Sequence, residues 1–152
     1  MTLDEFYNYL DTLPDLVLDD VSEIIAETAT SYFKESFTIK EFNKTPWVKA
    51  NKPKSTGSLM VESGNLVNSI RPAVVNRNRV VISAGNDKVN YAQAHNEGFT
   101  GPVLIPAHTR KGKPVKAYTM NQNIPKRQFM GKPDELLSLI YDRIAAHTKT
   151  KF

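Results

Sequence analysis

Between Pro14 and Thr38 apolar residues recur at helical spacing, and no other stretch of the chain limits its fold so strongly. Val17, Val21, Ile24, Thr28 and Tyr32, with Ile25 and Phe33 alongside, form a stripe that runs to about Phe37. A face of that length cannot stay in water, so the rest of the chain has to cover it. Pro14 can open the helix, because proline is preorganised for a first helical position. Asp15, Asp19, Asp20 and Glu23 crowd the start, where the macrodipole favours negative charge. Tyr32, Phe33 and Phe37 lie on the stripe and read as core packing rather than as an aromatic binding face.

The flanking segments read as partners for that helix. Thr2 and Glu5 form a capping box, and Leu3, Phe6, Leu10 and Leu13 give a short helix over residues 3 to 12. Residues 38 to 63 form a basic excursion containing Pro46, Pro53 and Gly57, with Trp47 as the residue that pins it to the helix. Leu59, Met60 and Val61 re-enter the core, and Ser63 is expected to cap a short helix carrying Leu66, Val67 and Ile70. Gly64 lets the backbone come close at its start. RPAVV and RVVISAG, separated by NRN, predict a β-hairpin over about residues 71 to 85 whose one face rests on the long helix.

The second half turns on KVNYAQAHNEGFTG, residues 88 to 101. Ala92 to His95 predict about two helical turns, and Gly98 is expected to take the left-handed backbone that stops them. Phe99 and Gly101-Pro102 lead into an arm over residues 99 to 124, a long hairpin with HTRKGK (108 to 113) at its tip. A two-stranded arm has too small a core of its own, so it is expected to add to a neighbour or insert into it. IPKRQFMG, residues 124 to 131, is expected to return as an extended edge. Pro133, Asp134 and Glu135 open a last helix with Leu136, Leu137, Ile140, Ile144 and His147 inward, and the KTKF end is expected to be loose. The expected fold class is therefore α+β: one domain, residues 1 to 152, with the long N-terminal helix and the C-terminal helix packed on a small antiparallel sheet, plus the arm.

Charge is unevenly distributed. Residues 1 to 41 hold ten acids and two bases, residues 42 to 132 three acids and fifteen bases, and the remainder three of each, which sums to the net +4. Such unlike surfaces suit head-to-tail contacts between copies or with a partner; they equally suit a solvated acidic face with scattered surface lysines. The absence of cysteine rules out disulfides and thiolate metal sites and suits a reducing compartment. No apolar run reaches membrane-spanning length, and MTLDEF is acidic where a signal peptide is basic, so neither export nor a membrane is expected.

Four segments in order, Trp47 after the long helix, LMVESGNLVNSI, VNYAQAHNEG and IPKRQFMG, resemble motifs of the phage virion-morphogenesis proteins. That family, also called tail-completion or neck proteins, is typified by the Mu-like tailed phages. Ser63, Gly64, Leu66, Ser69, Ile70, Tyr91, Ala92, His95, Gly98, Ile124, Pro125, Arg127, Phe129 and Gly131 carry the likeness, with Met130 where a leucine is usual. The resemblance implies a non-enzymatic, cofactor-free virion component of the head-tail junction, present in the host cytoplasm during assembly. It implies a ring of copies that meets connector or head-completion proteins on one side and tail-tube or tail-terminator proteins on the other. Arg110, Lys111, Lys113, Lys116, Arg127 and Phe129 are the candidate interface residues. Phe129 filling the core and Arg127 pairing locally is the competing reading.

Two other functional classes compete with this reading. A metal-dependent hydrolase would have to use His95, Glu97 and His108, but His95 and Glu97 diverge on a helix and His108 stands in the arm. A nucleic-acid-binding module would use Lys49, Lys52, Lys54, Arg77, Arg79, Arg110, Lys111, Lys113, Lys116, Lys126 and Arg127. With no basic recognition helix and little aromatic interleaving, such contact would be blind to sequence, as with genome DNA passing through a lumen.

Overall fold

A computed structural model describes residues 1–52, 57–87 and 89–151, with the side chains of 150 and 151 left aside. Pro53, Lys54, Lys88 and Phe152, which the sequence reading invoked, lie outside the described residues.

Helix α1 (Leu3–Asp11) starts at the expected capping box: the Thr2 N–H donates to Glu5 Oε2 at 2.7 Å, and the Glu5 N–H donates to Thr2 Oγ1 at 3.2 Å. Pro14 caps a single 3-10 turn (Asp15–Val17), and the long helix α2 (Leu18–Ile39) begins after it, with Asp19 and Asp20 in its first turn. Its buried positions include Val21, Ala29, Phe33 and Phe37, the face that the stripe predicts. The helix ends because Lys40 turns left-handed, φ 58°, while its N–H still reaches the Ser36 carbonyl at 2.8 Å.

Residues 41 to 47 of the basic excursion form structure that their sequence does not signal. Strands β1 (Glu41–Phe42) and β2 (Thr45–Pro46) make a tight hairpin, with Asn43 and Lys44 both at positive φ, 50° and 63°, as a two-residue mirror-image turn demands. The hairpin delivers Trp47 to Phe37, ring centroids 5.3 Å apart and nearly perpendicular. The next expectation is corrected in detail: Gly64, at φ 79°, is the cap residue of α3 (Asn65–Asn68), and Ser63 accepts only a long 3.4 Å bond from the Asn65 N–H. The hydroxyl that organises this corner is that of Ser69, which donates to the Leu66 carbonyl and accepts from the Gly85 N–H.

The hairpin β3 (Arg71–Asn76) and β4 (Arg79–Ser83) lies on α2 as expected, with a register irregularity between Pro72 and Val74. Its turn is tied to the start of α2: Arg77 Nε donates to Asp19 Oδ1 at 2.9 Å, and the Ser22 hydroxyl lies 2.9 Å from the Asn76 carbonyl. The second half holds α4 (Ala92–Glu97), the arm strands β5 (Phe99–Ile105), β6 (His108–Arg110), β7 (Lys113–Val115) and β8 (Tyr118–Ile124), and α5 (Asp134–Lys151). Among the described residues all strand pairing is antiparallel, in four two-stranded units rather than one continuous sheet.

Helix α5 covers α2 and α1 with Leu136, Leu137, Ile140 and Ile144, while His147 Nε2 reaches Asp20 Oδ2 at 3.0 Å. Two expectations fail at this end of the chain. The helix runs on through Lys149 to Lys151, so these residues are not a loose tail. Residues 125 to 130 pair with no strand; they form a strap held by side chains, because Phe129 and Arg127 turn inward and pull the backbone off any sheet edge.

The burial pattern fixes two outcomes. Ile144→Ala, which empties a fully buried site, lowers stability by about 2–5 kcal/mol in denaturant melts, whereas Leu104→Ala on the arm changes it by less than about 0.5 kcal/mol. The Glu5 carboxyl is held below its ordinary value by the Thr2 N–H and then by the Thr2 hydroxyl. Its contribution is therefore present above the unfolded-state pKa and lost as pH falls through the folded one. An NMR titration should place the Glu5 midpoint below the ordinary glutamate range, and Thr2→Ala, which removes the hydroxyl and keeps the N–H, should bring it only part of the way back.

Candidate functional site

The arm begins at a point where the chain has little freedom. Gly98 combines φ 80° with ψ 157°, so its backbone has positive φ but is extended rather than left-handed helical, a conformation nearly closed to other residues. A Cβ there would stand 3.2 Å from both the backbone nitrogen and the Cβ of Lys126. The glycine thus turns α4 directly into β5 and lets the outgoing and returning feet of the arm lie against each other.

Helix α4 holds the returning foot. The His95 carbonyl accepts from the Arg127 N–H at 2.9 Å, and Asn96 Oδ1 accepts from the N–H groups of both Phe129 and Met130, at 2.9 and 3.0 Å. One side-chain oxygen therefore satisfies two amides that no strand pairs. On the other side of the strap, Trp47 Nε1 donates to the Gln128 carbonyl at 2.7 Å and Arg127 Nε donates to the Val48 carbonyl at 2.8 Å. Burial pushes the Arg127 guanidinium below its ordinary pKa; a guanidinium does not lose its proton in proteins, so a cation is retained at this junction. Phe129 is fully buried, 5.1 Å from Phe37 between ring centroids.

Beyond this base β5 and β8 run in register for seven pairs, from Phe99 opposite Ile124 to Ile105 opposite Tyr118. Residues opposite each other share a face, so Phe99, Val103, Ile105, Tyr118, Met120 and Ile124 line one side, with Gly101 and Gln122 between them. The other side carries Thr100, Pro102, Leu104, Thr119, Asn121 and Asn123. The Phe99 ring lies along the apolar side over Gly101, where a Cβ would be 3.4 Å from Phe99 Cζ. Phe99, Tyr118 and Met120 remain 39, 46 and 45% exposed, and neither β5 nor β8 packs broadly on any element but the other. The hairpin is amphipathic with its apolar side uncovered.

At the tip Arg110 pairs with Lys113 across Lys111 and Gly112, both at positive φ, and Lys116 follows on the return. All four cations are exposed, and residues 99 to 124 contain no acid. Proline interrupts the outgoing strand at Pro102 and the tip at Pro114, whereas β8 has none.

No family model, curated protein or solved structure matches the chain.

The structure divides the six candidate interface residues. Arg110, Lys111, Lys113 and Lys116 share the exposed arm end, while Arg127 and Phe129 belong to the strap and face inward. Trp47, His95, Gly98 and Pro125 converge on that strap region; Gly64 and Leu66 belong to the α3 corner, and Tyr91 stacks edge-on against His95 at 5.5 Å. Asn96 is the residue that sequence reasoning passed over, since an amide between His95 and Glu97 has no periodic signal. Among the described residues no group of three or more His, Asp or Glu is placed to hold a metal ion, and no helix is long and apolar enough to cross a membrane. The positive residues weighed for nucleic acid come from separate segments, with Arg77 paired to Asp19 and Arg127 inside.

The double acceptor at Asn96 makes a sharp test. Asn96→Leu strands two part-buried amides and costs about 1 kcal/mol or more in total in urea unfolding, while Asn96→Asp, which keeps the acceptor oxygen, loses distinctly less.

Proposed function

We propose that this chain is a non-enzymatic structural component of a tailed-phage head-tail junction, a neck or tail-completion protein that assembles as a ring and joins or completes the tail. The observation that carries the reading is the arm: an amphipathic hairpin with a bare apolar side and a four-cation tip, mounted on a hydrogen-bonded base. A closed ring needs a heterologous interface, two different surfaces on each subunit, and an acidic N-terminal pair of helices with a projecting basic arm supplies them. The sequence resemblance supports the same reading. Three of its four segments, around Trp47, His95 to Gly98 and Arg127 to Gly131, hold one another through the strap, so a shared local architecture would account for their recurring together.

On this reading the chain works through contacts alone, with copies of itself, with head-side connector proteins and with tail-side tube or terminator proteins. Any contact with the genome would be through exposed lysines and arginines and so steeply dependent on salt.

Deleting residues 108 to 113 removes only the exposed arm end, so the variant keeps the wild-type melting temperature within a few degrees and loses assembly. The decisive experiment is electron microscopy of a lysate from a phage lacking the gene, with and without added protein. Full heads beside unjoined tails, rescued by the wild-type protein and not by the deletion, are expected. Normal virions without the protein overturn the proposal.

A further inference from the structure

Charge at the end of the arm is arranged against the arm's own stability. Residues 99 to 124 contain no acid, and in the register of the tip Arg110 lies directly opposite Lys113, with Lys111 between them at φ 52° and Lys116 following. Residues opposite each other in an antiparallel pair have Cβ atoms about 4.5–5.5 Å apart, and like charges in that relation destabilise a hairpin. On the body of the molecule arginines are met by the chain's own carboxylates: Arg77 pairs with Asp19 and Arg143 with Glu27. Among the described residues no acid pairs with any of the four tip cations. All four are exposed, and the arm packs broadly on no other element, so the repulsion is left to be offset by an anion from outside.

The shape that carries these charges selects among anions. The arm is a two-stranded ribbon, and the major groove of a duplex, about 12 Å wide, admits a ribbon of that kind. A duplex also presents one negative charge about every 1.7 Å of its axis, a row dense enough to meet cations set side by side. The side of the arm turned from its apolar face carries Thr119 and Asn121, a hydroxyl and an amide of the kinds that donate to phosphate oxygens. A lipid surface takes up apolar side chains together with cations, whereas HTRKGK, residues 108 to 113, carries no apolar side chain. We infer that the tip of the arm docks on double-stranded nucleic acid, with Arg110, Lys111, Lys113 and Lys116 on phosphates and no base read. The apolar side behind the tip stays open to protein neighbours, so the inference goes beyond the junction role and does not depend on it.

Fluorescence anisotropy of a short labelled duplex tests the contact. At about 0.9 per phosphate, four contacts make log Kd rise with log salt at a slope of about 3.6. Arg110→Gln with Lys113→Gln removes two contacts and the like-charge pair together. The slope then falls by about 1.8, affinity at about 50 mM salt falls about tenfold or more, and the melting temperature stays at or above that of the wild type. Lys34→Gln with Lys149→Gln makes the same change of net charge on α2 and α5, and it leaves the slope unchanged and the affinity within about twofold. Polyglutamate and phosphatidylserine vesicles bind more weakly than the duplex at the same salt. The inference is overturned if the neutral-tip chain binds the duplex as the wild type does, or if the two double variants lose affinity equally. Polyglutamate or vesicles that bind as tightly as the duplex overturn it too. These outcomes separate from the junction role: normal virions without the gene would end that role and leave duplex binding standing. A wild-type chain that rescues joining yet ignores the duplex would end the nucleic-acid contact alone.

Discussion

Phe37 is the residue on which the two halves of the chain meet. It stands near the end of α2 with Trp47 on one side and Phe129 on the other, so one ring joins the long helix, the loop that follows it and the strap that returns from the arm. Fully burying a large apolar side chain stabilises a fold by about 1.5–3 kcal/mol, against a net stability of about 5–15 kcal/mol for a typical protein. Three such rings in one cluster are therefore a large part of what keeps the strap down. Everything the arm does mechanically is referred to that cluster, because the strap is the arm's own continuation.

The polar bonds around the cluster answer a different need. An irregular segment laid across a core has amides and carbonyls with no ladder to join, and each left unpaired would cost as much as a lost hydrogen bond. Asn96, the indole of Trp47 and the guanidinium of Arg127 between them supply donors and acceptors to the strap and to the loop at Val48. Arg127, a candidate interface residue by its sequence, is thus occupied by the chain's own backbone. Arg127 shows the trade most clearly: it gives up hydration, which lowers its pKa, and gains a carbonyl.

The periodic parts of the structure were legible in the sequence. The α2 stripe, the capping box, the β3–β4 hairpin, the arm with its tip and the inward face of α5 all follow from repeats of about 3.6 or 2 and from turn residues at the expected places. What was not legible lacks a period. The β1–β2 turn uses Asn43-Lys44, and lysine at positive φ gives no warning of a mirror-image turn. Residues 124 to 131 alternate in a way that suits an edge strand, and the inward turn of Arg127 and of Phe129 toward Phe37 makes residues 125 to 130 a strap. Ser63 precedes a helical run as a cap residue would, yet the left-handed Gly64 takes that position. Within the candidate surface the four tip cations were legible because loops carry them, whereas the inward turn of Arg127 and Phe129 depended on partners 79 or more residues earlier in the chain.

The unequal placement of proline in the arm has a consequence for what the free protein does before it meets anything. A bare two-stranded ribbon is a template for endless strand addition on both rims. Proline in such a ribbon keeps its nitrogen on the outer side, so a strand arriving beside β5 finds a missing donor at Pro102, while one arriving beside β8 finds an unbroken row. Addition through the backbone is thereby weakened beside β5 at Pro102, while the return side offers an unbroken row only along β8, because Pro114 interrupts it nearer the tip.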